Sequence, residues 1–151
     1  AMMQGYRDAD QNAAAFSEDG FFKTGDIGQL LESQAIVITD RKKDIIIRGG
    51  ENLSAREIEE VVMLHPAVAE AAAVSAPHTR LGEGVAVFVT LYDGEAPALE
   101  DLTALCAEQR LAKQKWPQWL GVVKEMPKTP SGKIQKAVLR QQLQADGVEL
   151  S

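Results

Sequence analysis

Cysteine is almost absent: Cys106 stands alone among 151 residues. A disulfide framework is therefore excluded, and a reducing cytoplasm is the expected setting. Histidine is nearly as scarce, with His65 at a helix end and His78 expected at the surface, and no metal-ligand set accompanies either. Basic residues are in the minority, 16 against 22 acidic for a net charge of −6. This speaks against a general nucleic-acid binder despite the Arg41-Lys42-Lys43 cluster. Trp116 and Trp119 flank a proline and are expected to pack rather than stack on a base. No apolar run approaches the roughly 18 residues of a membrane span. No signal peptide is visible either, because Met2-Met3 is followed by polar Gln4-Gly5-Tyr6-Arg7-Asp8. Ala1 ahead of Met2 suggests a piece cut from something longer.

What is present centres on Thr39–Glu60. Asp40-Arg41-Lys42-Lys43-Asp44 is a charged turn too polar to bury, and Ile45-Ile46-Ile47 predicts a strand covered on both faces. Gly49-Gly50 lets the backbone turn, or lets something approach it closely. Ser54-Ala55-Arg56-Glu57 is a capping box, with Leu53 and Ile58 as its hydrophobic staple, so a helix opens there. Its buried face is expected to be Ile58, Val61, Val62 and Leu64, and its end His65-Pro66.

Upstream, Ala9 and Ala13-Ala14-Ala15 form at most a weak helix. Ser17-Glu18-Asp19-Gly20 is a turn between phenylalanines, Gly25-Asp26-Ile27-Gly28 reads as another turn, and Leu30-Leu31 with Ala35–Thr39 read as short strands. Downstream, Val68–Ala76 is an alanine-rich strand on which a helix packs closely, and 77–83 is a loop. Gly84–Leu91 alternates, with Val85, Val87, Val89 and Leu91 on one face and Ala86, Phe88 and Thr90 on the other, as a central strand should. Pro97 can open a helix carrying Leu99, Leu102, Leu105 and Cys106. Leu120–Glu125 reads as a strand, and Ile134, Val138 and Leu143 seed a last helix. The expectation is an α+β fold: a small mixed or antiparallel sheet of about three strands flanked by helices, preceded by a β-hairpin.

Lys133 follows Pro127-Lys128-Thr129-Pro130-Ser131-Gly132 and is, on its own residues, an exposed loop lysine. A phosphate-binding P-loop is excluded, since Pro127 stands where its first glycine belongs and Ile134 where its Ser or Thr belongs. Three blocks now stand in order: Phe22-Lys23-Thr24-Gly25-Asp26-Ile27-Gly28, the Thr39–Glu60 stretch, and Pro127–Lys136. Together they resemble the C-terminal part of the adenylate-forming superfamily, and most of all its fatty-acid or carboxylic-acid CoA ligases.

The resemblance implies the following. Residues 1–40 would be the tail of a large N-terminal domain, and 41–151 the lid domain of an acyl-CoA synthetase. Lys133 would be the mobile catalytic lysine, bringing a carboxylate and a phosphate together as the acyl-adenylate forms. Asp26 would hold the ribose hydroxyls of ATP, with Arg41 near the same ribose and phosphate. Lys43 falls on the hinge position, where a few dihedrals absorb a rotation of the small domain. Gly49 and Gly50 would line the pantetheine tunnel, where a side chain would block the thiol, and Arg80, Lys113 and Lys115 are basic positions available to the phosphates of CoA. The partners implied are ATP with Mg2+, AMP, CoA, a carboxylic acid of fatty type and the chain's own large domain. Phe21, Phe22, Ile27 and Leu30, orphaned by the absent domain, would be covered by the small domain or by a second copy as a homo-oligomer. An adenylation domain loading a carrier-protein phosphopantetheine, or a non-catalytic α+β interaction module, are the alternatives.

Overall fold

The computed structural model describes Gly5, Arg7 and residues 9–151. They divide into two compact units, Ala1–Lys43 and Asp44–Ser151. The reading of the opening residues, 1–4, 6 and 8, lies outside those described.

In the first unit the alanines make a short helix, α1 (Ala9–Ala15). Phe16 then pairs with Phe22 across the Ser17–Gly20 turn, their rings edge-on at 5.5 Å. The Ser17 hydroxyl closes that turn by accepting from the Phe21 N–H at 3.0 Å. Strands β1 (Asp26–Leu30) and β2 (Ile36–Arg41) form an antiparallel hairpin. Gly25–Gly28 is thus not the turn expected. Only Gly25 precedes the strand, and the glycine at 28 sits at a register break that lets β1 continue. Phe21 and Leu30 are 75% and 69% exposed in the single chain.

The second unit opens with a single 3-10 turn, Lys42–Asp44, that begins in the first. Strands β3 (Ile46–Arg48) and β4 (Glu51–Leu53) follow as a hairpin. The isoleucine run is covered on one face only: Ile46 is buried and Ile47 is 53% exposed. A three-residue strand joined to the sheet body by the pairing of Arg48 with Gly82 has just one side to bury. Helix α2 (Ala55–Val62) starts as the cap predicts, with Ser54 Oγ accepting from the Glu57 N–H at 3.2 Å. The other half of the box is replaced: the Glu57 carboxylate meets Lys115 Nζ at 2.5 Å. The helix stops at Val62, so Leu64 turns outward, 58% exposed, rather than joining the buried face.

Strands β5 (Val68–His78) and β6 (Gly82–Leu91) make a long antiparallel pair. The expected 77–83 loop shrinks to three residues because both strands extend into it. β6 is the central strand, bordered by β5 on one edge and by β3 and the parallel β7 (Trp119–Val122) on the other. The order is β4-β3-β6-β5 with β7 beside β6, five strands in all. The alternation in β6 divides the core as predicted. Val85, Val87 and Val89 face α2 and α3 (Leu99–Glu108), packing with Ile58, Val62, Leu102 and Cys106. Ala86 and Phe88 face α4 (Lys136–Ala145), packing with Met126, Leu139 and Leu143.

Three further readings are corrected. Ala98, not Pro97, occupies the N-cap of α3, whose first turn is tied by the Asp101 carboxylate accepting from the Ala98 N–H at 2.8 Å. Leu139 is buried in α4 where Val138, at 40% exposure, is not. His78 is buried, because Leu150 pairs alongside it and the Thr79 N–H donates to the Leu150 carbonyl at 2.9 Å. Its Nδ1 accepts from the Arg80 N–H at 3.1 Å and the Leu81 N–H at 3.3 Å, which orders the β5–β6 turn.

Candidate functional site

In the first unit, hairpin pairing sets Asp26 opposite Arg41. Arg41 Nε stands 3.2 Å from Asp26 Oδ1. The local backbone is held by Asp26 N–H to Thr24 Oγ1 at 3.2 Å, Arg41 N–H to Asp40 Oδ1 at 2.7 Å and Lys42 N–H to the Gly25 carbonyl at 2.8 Å. Thr24, Gly25, Arg41, Lys42 and Lys43 line a hollow of about 530 Å³. Three cations line this hollow, with the Asp26 carboxylate paired to one of them, a set that can meet an anionic group and accept from its hydroxyls.

In the second unit, Gly49 and Gly50 make the turn from β3 to β4 with φ of 57° and 85°. A Cβ at Gly50 would meet no atom within 4 Å, and one at Gly49 would be 3.5 Å from Leu81 Cδ2. Within this unit it is the positive φ, not lack of space, that calls for glycine. The turn borders a cleft of about 640 Å³ with Arg48, Leu81, Thr103, Lys113 and Trp116. Trp116 is fixed by Nε1–H to the Leu111 carbonyl at 2.8 Å, and Lys113 Nζ lies 5.9 Å from its ring. Arg48 Nη1 donates to the Gln114 carbonyl at 2.5 Å, while its buried Nε finds no acceptor among the described residues. Sequence reasoning missed Arg48; of the three basic positions it named, Lys113 lines the cleft while Arg80 and Lys115 do not. Lys115 is paired with Glu57, and an arginine directly before the two glycines was the available signal for Arg48.

Lys133 lies exposed on a closed loop, as its own residues suggest, three residues before α4 begins. Lys128 and Ile134 bridge across the loop's base, the Gln135 N–H donates to the Pro127 carbonyl at 2.7 Å, and the Thr129 N–H to the Lys133 carbonyl at 2.8 Å. Thr129 Oγ1 accepts from the Lys133 N–H at 3.1 Å, and Gly132 turns the chain at φ 83°. The backbone of Lys133 is therefore fixed while its ammonium reaches outward.

The Gly49 turn and the Lys133 loop sit at opposite ends of β6. Arg48 pairs with Gly82 at its start, whereas Lys128 ion-pairs with Glu70, which pairs with Thr90 near its finish. From Gly82 to Thr90 is roughly 26 Å at about 3.3 Å per residue. Cys106 belongs to neither place: it is buried in the core, where desolvation raises its thiol pKa. Among the described residues no cluster of three or more His, Cys, Asp or Glu side chains is arranged to hold a metal ion, and no helix is long and apolar enough to cross a membrane.

The second unit is thus an α+β body with a cation on a closed loop and a glycine turn at the far end of the same sheet. Residues 57–133, just over half of the chain, match the AMP-binding enzyme C-terminal domain, and the chain belongs to that family. It is 40% identical over 147 residues to the medium-chain fatty-acid–CoA ligase of Escherichia coli K12, covering 94% of this chain and 25% of that protein. It is 44% identical over 136 residues to the 2,3-dihydroxybenzoate-AMP ligase of Bacillus subtilis 168, covering 90% and 25%. The crystal structure of ATP-bound MatB from Rhodopseudomonas palustris matches with a TM-score of 0.84 at 35% identity, covering 93% of this chain and 28% of that one. The chain spans about a quarter of the length of the curated relatives it matches.

Proposed function

We propose that this chain is the C-terminal lid domain of an ATP-dependent acyl-CoA synthetase, with residues 1–40 as the last stretch of a large N-terminal domain. The whole enzyme joins a carboxylate to ATP, releasing pyrophosphate, and then passes the acyl group from AMP to the thiol of CoA. ATP enters with Mg2+, the acid is of fatty type, and the setting is the cytoplasm. Asp26 and Arg41 hold the ribose side of the nucleotide. In the first step a carboxylate oxygen attacks the α-phosphorus, and the Lys133 ammonium offsets the repulsion between the two anions as charge moves onto pyrophosphate. In the second step the thiol attacks the acyl carbonyl and AMP leaves. That thiol arrives along the Gly49-Gly50 edge, and of Arg80, Lys113 and Lys115 it is Lys113, beside the cleft, that takes the phosphate-binding part.

The observation that carries this reading is the distance along β6 between the Gly49 turn and the Lys133 loop. A rigid unit with its two reactive features at opposite ends can offer a single site only one of them at a time. Alternation about Lys43, the last residue before the second unit, turns that obstacle into an order of events.

The test is Lys133→Ala in the full-length parent enzyme. Carboxylate-dependent exchange of pyrophosphate into ATP should fall by roughly 10²–10³, the loss on removing one donor at a developing anion. Thioester formation from preformed acyl-adenylate should continue at the parent rate. Normal exchange, or equal loss of both steps in a folded variant, would overturn the reading. A second reading keeps the adenylation step, the step for which the similar 2,3-dihydroxybenzoate-AMP ligase is named, and passes the acyl group to a carrier-borne phosphopantetheine instead of CoA. Transfer to a loaded carrier protein but not to free CoA would favour it.

A further inference from the structure

We propose that Glu59 and Lys136 are positioning residues for Lys133, an inference that rests on the role given to Lys133 above. The loop from Pro127 to Gln135 is internally closed by the Lys128–Ile134 bridge and by the bonds of Thr129 and Lys133 to each other. It therefore moves as a piece, and the direction of the Lys133 ammonium depends on how that piece is joined to the sheet. Two ion pairs flank it. On the near side Lys128 Nζ meets Glu70 Oε1 at 2.6 Å, with both side chains 36% exposed. On the far side Lys136 Nζ meets Glu59 Oε1 at 2.7 Å, with the two side chains only 14% and 18% exposed.

The inner pair is screened less and held by more. Glu59 Oε1 also accepts from the Ala73 N–H at 2.7 Å, so a carboxylate on α2 is bound at once to β5 and to the first residue of α4. One helical turn later Arg140 approaches Asp44, 3.6 Å away, giving α4 a second cation set against an acid of its own unit. Ile134, packed against the core, attaches the loop by an apolar contact that tolerates sliding. A hydrogen-bonded ion pair largely screened from water has fewer geometries open to it, and buried pairs serve more as registers than as sources of stability. Lys136 therefore fixes where α4 begins, and with it the aim of a lysine three residues earlier.

The measurement is pyrophosphate exchange and, separately, thioester formation from preformed acyl-adenylate, in the full-length parent enzyme. Lys136→Met should slow exchange by roughly 10–100-fold, as expected when a reacting group is misplaced by about 1 Å. Lys136→Arg should retain exchange, and thioester formation should be unchanged in both. In a Lys133→Ala background Lys136→Met should cause no further loss of exchange, because it acts only through Lys133. A folded Lys136→Met enzyme that exchanges at the parent rate, loses both steps together, or loses as much again without Lys133 overturns the inference alone. Normal exchange by Lys133→Ala overturns the underlying reading, and the inference with it. Should Lys136→Met not fold, Glu59→Gln with Lys136→Met leaves no lone buried charge and keeps an acceptor for Ala73, and the same outcomes apply. If that double variant does not fold either, the pair is structural and the inference is wrong.

Discussion

Gly121→Ala tests the packing of the face on which α4 rests. Gly121 lies in β7 opposite Phe88, where a Cβ would stand 2.4 Å from Trp119 Cη2, 2.6 Å from its Cζ3 and 3.1 Å from Phe88 Cδ1. Trp119 itself packs edge-on against Phe88 with ring centroids 5.1 Å apart, and Phe88 is buried under α4, so a shift of the indole to make room gives up part of that contact. Overpacking a close-fitted core costs about 1–3 kcal/mol. Against it stands about 0.4–1 kcal/mol gained because alanine restricts the unfolded chain. The net expectation is a loss of about 1–2 kcal/mol. With a urea slope of about 2 kcal/mol/M this lowers the unfolding midpoint by roughly 0.5–1 M. Circular dichroism through a urea titration reads it directly. Adding Trp119→Phe removes the two clashing ring atoms, so the cost of Gly121→Ala should shrink in that background. A Gly121→Ala variant as stable as the parent, or one whose cost is the same with Phe at position 119, would refute the contact.

Gly50→Ala should cost about 1–2 kcal/mol through its positive φ alone, since a Cβ there meets nothing, and thermal melting checks it. Cys106 is held above the ordinary thiol pKa by burial, so its protonated form is favoured in the folded state. The stability it contributes is complete below the unfolded thiol's pKa, about 8.5, and is lost as pH rises through the folded value. Urea midpoints should accordingly decline on the alkaline side less steeply in Cys106→Ala than in the parent. Lys43→Pro in the full-length enzyme should slow thioester formation more than adenylation if this residue is the hinge, as separate assays of the two half-reactions would reveal.

Features carried by local chemistry were legible in the sequence. Ser54 announced α2 because a hydroxyl can accept from an N–H three residues on, and β6 declared both its faces because alternation follows from the pleat. What escaped depended on partners distant in the chain. Nothing near His78 says that Leu150 will lie beside it, and nothing near Glu57 says that Lys115 will claim the carboxylate the capping box needed. The choice between Val138 and Leu139 turns on the phase of a helix whose first residue is set by Lys136 finding Glu59. For the candidate site, Lys133, Asp26 and Arg41 were put forward from motifs, and the hairpin brings the last two together. Arg48 was hidden, because its significance lies in a cleft assembled from β3, the β5–β6 turn, α3 and the segment around Trp116.

The bond from Ala73 to Glu59 also bears on how this protein meets other copies of itself. β5 is the outermost strand on its side of the sheet and is made largely of small residues, the kind of border to which a stray strand can add. Glu59 occupies one of its outward N–H groups and places a carboxylate there, while farther along Pro77 offers no N–H and its carbonyl is taken by the Leu150 N–H at 2.8 Å. A side chain at one point and a short return of the chain at the other each take a backbone group that a neighbouring strand would need. A strand adding to this border would have to displace both contacts, which interrupts the edge without lengthening the sheet.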